Sequence, residues 1–256
     1  MRNFIYSFQS EWLKKKRSLA SILVVAGAFF IPAVILVAKL VRHSALSKAS
    51  ISARYWENLW NDALEPMAVF LLPLGIALAA SLITQLEFKN NTWKQLHTTP
   101  QTLTTIFFAK LAVILVMLVQ FFILFNIGIY FSGIIPNLVF GIAYPTEPIP
   151  WLFFVKENFH YFIDCLPVLA LQYLVSLQFK NFLVPVAFGI ACWILSIAVL
   201  GWEYGHWIPY SYCGLNYLHG VGKYNREIPI HALALGYFVV FTIISYILYV
   251  NKKEKG

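Results

Sequence analysis

The sequence predicts an all-α membrane protein: six transmembrane helices, with an amphipathic interface helix ahead of them. Three observations carry that prediction. Of the 256 residues, 60% are hydrophobic and only 12% charged, against roughly 25% charged in average soluble domains. Mean hydropathy is +0.70. Six stretches each supply the ~20 mostly apolar residues that a hydrocarbon core of ~30 Å requires. One core of this size cannot hide so much apolar surface, which excludes an ordinary cytosolic enzyme, a disordered chain and a small secreted disulfide scaffold.

The elements follow in chain order. Residues 1–18 are the interface helix. Within Arg2–Ser18, Phe4, Ile5, Phe8 and Trp12 recur at helical spacing, and the basic run Lys14, Lys15, Lys16 and Arg17 closes the segment. Such a helix lies in the inner interface, aromatics in the acyl boundary and basic end near anionic headgroups. A basic tail that only sets topology is the competing reading. Residues 19–256 then form one six-helix domain, with spans at about Leu19–Leu40, Pro66–Leu86, Leu103–Phe131, Phe159–Phe179, Phe182–Leu200 and Ala232–Val250. The first is too long for a cleavable signal and meets no small-x-small site before Lys39, so it reads as a permanent anchor. The third is long enough to tilt. Glu157, His160 and Asp164 interrupt the start of the fourth. The linker Phe179-Lys180-Asn181 forces spans four and five into an antiparallel hairpin. Pro32, Pro73, Pro167 and Pro185 fall inside spans, where each removes a helix hydrogen bond and permits a kink.

Six spans put both termini on one side, and charge says which. With the termini inside, the inner segments hold 12 basic and three acidic residues, the outer ones seven basic and eight acidic. That is the positive-inside bias, so the expected location is the cell membrane with both termini cytoplasmic. The basic residues form no stripe with interleaved stacking aromatics, which makes nucleic acid a poor partner.

The inner stretch Glu87–Thr102 breaks the hydrophobic monotony. Leu86, Trp93 and Leu96 share a helical face, with Lys89, Lys94 and Gln95 around it. Thr99 suits an N-cap and Pro100 the first helical position restarting the chain into span three. The stretch reads either as a short amphipathic helix that moves rigidly with its two spans or as a polar loop. The outer stretches, 41–65 and 201–231, are rich in aromatics: Tyr55, Trp56 and Trp60 in one, Trp202, Tyr204, Trp207, Tyr210, Tyr212, Tyr217 and Tyr224 in the other. They read as an interfacial belt or as a lid touching substrate.

No catalytic constellation is present. The sequence lacks HExxH and GxSxG, and Gly220-Val221-Gly222-Lys223-Tyr224 has Tyr217 and Tyr224 where a phosphate loop needs Gly and Ser or Thr. No catalytic residue is assigned. Cys165, Cys192 and Cys213 are odd in number, far apart and without a CxxC pattern, and read as free thiols. His206, Cys213 and His219 have no close ligand pair among them, so no metal is expected. Neutral polar residues at membrane depth, Gln120, Asn126, Gln172, Ser176 and Ser196, are candidates for a substrate path or for interhelical contacts worth ~0.6–2 kcal/mol each. Glu157, His160 and Asp164 face one way, as a proton relay or as the polar outer end of a helix.

Two segments carry a family resemblance: Glu11-Trp12-Leu13-Lys14-Lys15-Lys16-Arg17-Ser18, and Asn91-Thr92-Trp93-Lys94-Gln95-Leu96-His97-Thr98-Thr99-Pro100 with Ala109-Lys110-Leu111 after it. It continues in Leu171-Gln172-Tyr173 and Phe179-Lys180-Asn181-Phe182. The arrangement resembles the permease subunit of type-2 ABC exporters, particularly the small permeases of lantibiotic immunity and bacitracin resistance. The resemblance implies that Glu87–His97 is a short cytoplasmic coupling helix, with Glu87, Lys89, Trp93, Lys94, Gln95, Leu96 and His97 at the ATPase contact. It also implies two permease chains with two ABC ATPase subunits, which would hold the ATP and magnesium, and export by alternating access. A stand-alone proton- or ion-coupled carrier is the alternative.

Overall fold

The computed structural model describes residues 2–16, 18–42, 52, 54–89, 102–223 and 228–252. It is 85% helix with no strand among the described residues. The helices are α1 (Arg2–Lys16), α2 (Leu19–Val41), α3 (Tyr55–Pro66), α4 (Leu72–Lys89), α5 (Leu103–Phe140), α6 (Trp151–Gln178), α7 (Leu183–Ala198), α8 (Tyr212–Gly220) and α9 (Ile230–Val250). A single π-helical stretch, Met67–Leu71, joins α3 to α4 without a break.

Among the described residues, five segments are long and apolar enough to cross a membrane: Leu19–Val41, Tyr55–Leu86, Leu103–Phe140, Trp151–Gln178 and Ile230–Val250. The sixth expected span, Phe182–Leu200, is only the 16 residues of α7. At ~1.5 Å per residue that is about 24 Å, short of the hydrocarbon core. The helix stops because the chain reverses. The Trp202 N–H donates to the Val199 carbonyl at 3.0 Å and the Gly205 N–H to the Trp202 carbonyl at 3.1 Å. A Cβ at Gly205 would stand 2.4 Å from the Val199 oxygen, so the turn admits only glycine.

Both outer stretches differ from the expected loops. Stretch 41–65 contains α3, whose Trp56, Leu59, Trp60 and Ala63 are buried. Stretch 201–231 folds back into the bundle through two 3₁₀ turns, Gly205–Trp207 and Pro209–Ser211, and then α8, whose Tyr212, Cys213 and Leu215 are buried. Its aromatics Trp202, Tyr204 and Trp207 are exposed while Tyr210 and Tyr212 are core residues. Spans three and four also run beyond their expected limits, to Phe140 and back to Trp151. In α5 the helix continues until Gly141, which caps it in the left-handed conformation at φ 64°.

The long helix through α3 and α4 survives two prolines by a specific substitution. Pro73 has no N–H to offer the carbonyl four residues earlier, that of Val69. The Trp193 indole of α7 donates to that carbonyl instead, at 2.8 Å. The helix deforms into its π stretch next to Pro66 and stays paired.

Segment α3–α4 with α5 and α6 forms the interior; α2 packs on α5 and α9 on α6, each with an apolar outer face. The α2–α5 contact is close: a Cβ at Gly128 would lie 2.8 Å from the Pro32 ring. One end of the bundle collects the end of α4, the starts of α5 and α7, and the ends of α6 and α9. There Gln85 donates to the Phe179 carbonyl at 3.0 Å and Lys252 to the Leu177 carbonyl at 2.7 Å, while Thr104 meets the Tyr246 hydroxyl at 2.8 Å.

Candidate functional site

The sequence-assigned residues divide among that end, the helix interior and the opposite end. At the first, α5 begins with Thr102 as its N-cap. The Thr102 hydroxyl accepts from the Thr105 N–H at 3.3 Å, so the cap is Thr102 and not Thr99. Glu87 and Lys89 fall in the last turn of α4. Trp93, Lys94, Gln95, Leu96 and His97, with Thr99 and Pro100, lie outside the described residues.

Against the start of α5 lies α1, in an orientation that sequence periodicity does not anticipate. Ser7, Glu11 and Lys15, spaced four apart, form its buried stripe. The Lys110 ammonium of α5, 1% exposed, donates to the Glu11 carboxylate at 2.9 Å. Lys14 pairs with the other carboxylate oxygen. Lys15 turns inward, donating to Gln120 at 2.7 Å with its ammonium 3.9 Å from the Trp12 ring centre. The polar face is therefore a seam against α5 and not a headgroup-facing surface at Lys15. Phe4 and Lys16 are exposed, Phe8 and Trp12 are half-buried and stacked on each other, and Arg17 lies outside the described residues. Ser18 closes the corner: its hydroxyl donates to the Lys15 carbonyl at 2.8 Å and caps α2.

The charges of this seam depend on one another. Burial pushes the Glu11 carboxyl up, but the charges and hydrogen bonds of Lys110 and Lys14 outweigh it, and the group ends below its ordinary value. Burial pushes the Lys15 ammonium down. Removing either partner of the Glu11–Lys110 pair leaves a buried charge with fewer contacts, a costly state.

In the interior, the amides split by environment. Gln172 sits in a closed knot of four elements. It donates to the Pro185 carbonyl at 2.7 Å and to Ser81 at 3.0 Å, and accepts from the Tyr210 hydroxyl at 2.9 Å. Ser81 in turn meets Ser176 at 3.2 Å. Gln172 and Ser176 are fully buried and line neither of the two cavities described next. Asn126 is placed differently. It exchanges amide bonds with Asn158 of α6, at 2.9 and 3.2 Å. Both amides border a cavity of about 570 Å³ between α5 and α6, walled by Trp56, Tyr130, Trp151 and Phe159. A second cavity of about 570 Å³ lies between α2, α4 and α5, with Phe30, Phe70, Gly75 and Phe121 on its walls.

At the opposite end, His160 and Asp164 acquire partners that no local spacing announces. Asp164 is fully buried, accepts from Asn216 of α8 at 2.8 Å, and pairs with the His231 Nδ1 of α9 at 2.8 Å. The His231 ring stacks on His160 at 4.5 Å, and His160 lies 4.0 Å from Glu157. Beside this cluster the sulfurs of Cys165 and Cys213 touch. The partners of Asp164 and the two cysteines are 48 to 67 residues apart in sequence, and only the fold brings them together.

Compared with known proteins, residues 7–196 match the family described as ABC-2 family transporter protein, from within α1 to the last turn of α7. No curated protein matches the chain.

Proposed function

The chain belongs to the ABC-2 family of transporter proteins, and from that premise we propose that it is the membrane half of an ATP-driven exporter working by alternating access. It is a permease subunit of an ABC transporter, a multi-pass membrane protein whose partner is an ABC ATPase. Its cargo is amphipathic, peptide- or lipid-like, in keeping with the resemblance to lantibiotic-immunity and bacitracin-resistance permeases. It works with a second permease chain, identical or related. ATP and magnesium are held by the ATPase.

The observation that carries this reading is the fastening of α1 to α5 by Glu11 and Lys110. Stretch 87–102 joins α4 to α5, and Glu87, Lys89, Trp93, Lys94, Gln95, Leu96 and His97 are its proposed ATPase contacts. A displacement of that stretch acts on α5 directly, and α1 follows through the buried pair. Taking a two-state membrane domain from 1:99 to 99:1 needs ~5.5 kcal/mol of differential binding, so the stretch must be coupled rigidly to the helices it moves. The cavity bordered by Asn126 and Asn158, apolar with aromatic walls and two amides, has the character of an amphiphile's contact surface.

Co-purification tests the proposal. The wild-type chain should bring down its ATPase, and the double substitution Trp93→Asp with Leu96→Asp should lose it while the permease remains in the membrane. Undiminished association in the double variant would refute the assignment. A stand-alone proton-coupled carrier is the reading that Asp164, His231 and His160 favour. Uptake into proteoliposomes driven by a proton gradient, with no ATPase present, would decide for it.

A further inference from the structure

We propose that Cys165 of α6 and Cys213 of α8 form a disulfide that fastens the folded-back outer segment to the bundle. Their sulfurs are 3.4 Å apart, with the two residues 0% and 2% exposed. Reaching the bonded distance of ~2.05 Å takes a shift of about 1.4 Å between the two atoms. The surroundings already hold the two helices in register. Asn216 lies three residues after Cys213, on the same face of α8, and donates to Asp164, the residue before Cys165, at 2.8 Å. On the other side, a Cβ at Gly214 would stand 2.7 Å from the Leu200 side chain, so α8 is pressed into place. Cys192, half-buried in α7, is the third thiol and an internal control.

The chemistry is thiol–disulfide exchange. The thiolate of one cysteine attacks a disulfide of an external oxidant, a protein or small-molecule disulfide, and releases one of its thiols. The second cysteine then displaces the other, giving the Cys165–Cys213 bond and the oxidant's reduced dithiol, with two electrons passed to the oxidant and the cysteine protons carried off with them. The hydrogen bond to Cys165, together with burial, pushes the Cys213 thiol well above its ordinary value, which disfavours the thiolate once α8 is seated. The bond therefore forms while the outer segment is still docking. Oxidising conditions are found outside the cell membrane, so the inference rests on the orientation in which the termini are cytoplasmic. Its consequence is mechanical: α8 and α6 move as one body through the transport cycle, and cargo does not leave between them.

The experiment uses the full chain in its native membrane. Thiols are trapped with N-ethylmaleimide on lysis, and the digest is read by mass spectrometry. The expected result is a peptide linked through Cys165 and Cys213, lighter by two hydrogens, with Cys192 alkylated. Recovery of both cysteines as alkylated thiols overturns the proposal, and a second arm says why. If protein synthesised into nanodiscs with oxidised glutathione present, so that the outer segment docks under oxidant, then forms the link, the contact is real but the native compartment is reducing, and the orientation fails with the inference. If it does not, the contact itself is wrong. Cys213→Ser and Cys165→Ala should each abolish the linked peptide, and reduction should lower the Tm of the wild type but not of a variant that folds.

Discussion

At the scale of single residues, the Glu11 carboxylate is a buried charge with two cationic partners. It is 6% exposed, yet it holds two lysines, Lys110 from α5 and Lys14 from its own helix. Because its folded value lies below the ordinary 4.5, its contribution is fully present above that pH. It is lost as pH falls through the depressed folded value, when the protonated acid no longer pays back its burial. We expect α1 to loosen from α5 in that acidic window, read as faster proteolysis within α1 in nanodiscs. The isosteric variant Glu11→Gln should flatten that pH dependence. Lys110→Met removes the better-buried partner and should cost up to about 3–5 kcal/mol, with Lys14 moderating the loss. Identical pH profiles of α1 protection in the wild type and in the Glu11→Gln variant would show that the pair does not fasten it.

At the scale of elements, the prolines show how far local sequence reaches. Pro73 announces a lost hydrogen bond, but the group that replaces it, the Trp193 indole, lies 124 residues away from the Val69 carbonyl it serves. Trp193→Phe keeps an aromatic ring and removes the donor, leaving a part-buried carbonyl of a membrane span unpaired. We expect that to lower stability by about 1–3 kcal/mol, measured as a fall in Tm in detergent, and an unchanged Tm would mean the carbonyl has another donor. The same reach explains which expectations held. The apolar runs of α2, α4, α5, α6 and α9 were legible because lipid demands a continuous length of nonpolar residues, a one-dimensional property. The inward stripe of α1 was not, because Ser7, Glu11 and Lys15 are polar, and Glu11 and Lys15 find their partners in Lys110 and Gln120 of α5. Stretch 201–231 misled for a related reason: Tyr210 and Tyr212 look like interfacial aromatics until Gln172 and the face of α6 are in place around them. His231 and Asp164 are likewise a pair made by packing alone.

At the scale of the whole molecule, function depends on which end of the bundle faces the ATP pool. The structure gathers the end of α4, the start of α5, the end of α6 and the end of α9 at one pole, where Lys252 caps the last carbonyls of α6 at 2.7 and 3.2 Å. That cap joins a cation to the negative end of a helix dipole and fixes α9 at the pole where α4 ends and α5 begins. Among the described residues, Lys180 and Lys252 of the inner segments stand at that pole, so the positive-inside bias and the coupling scheme stand or fall together. Fusions test both. A fluorescent protein that matures only in the cytoplasm, placed after Gly256, should fluoresce, and a phosphatase active only outside, placed after Gly220, should be active. The reverse pattern would put α1, the α5 start and residues 87–102 on the side without ATP. No motor could then act on them, while the Asp164–His231 cluster would face the cytoplasm. Orientation is therefore the condition under which the Glu11–Lys110 seam transmits force at all.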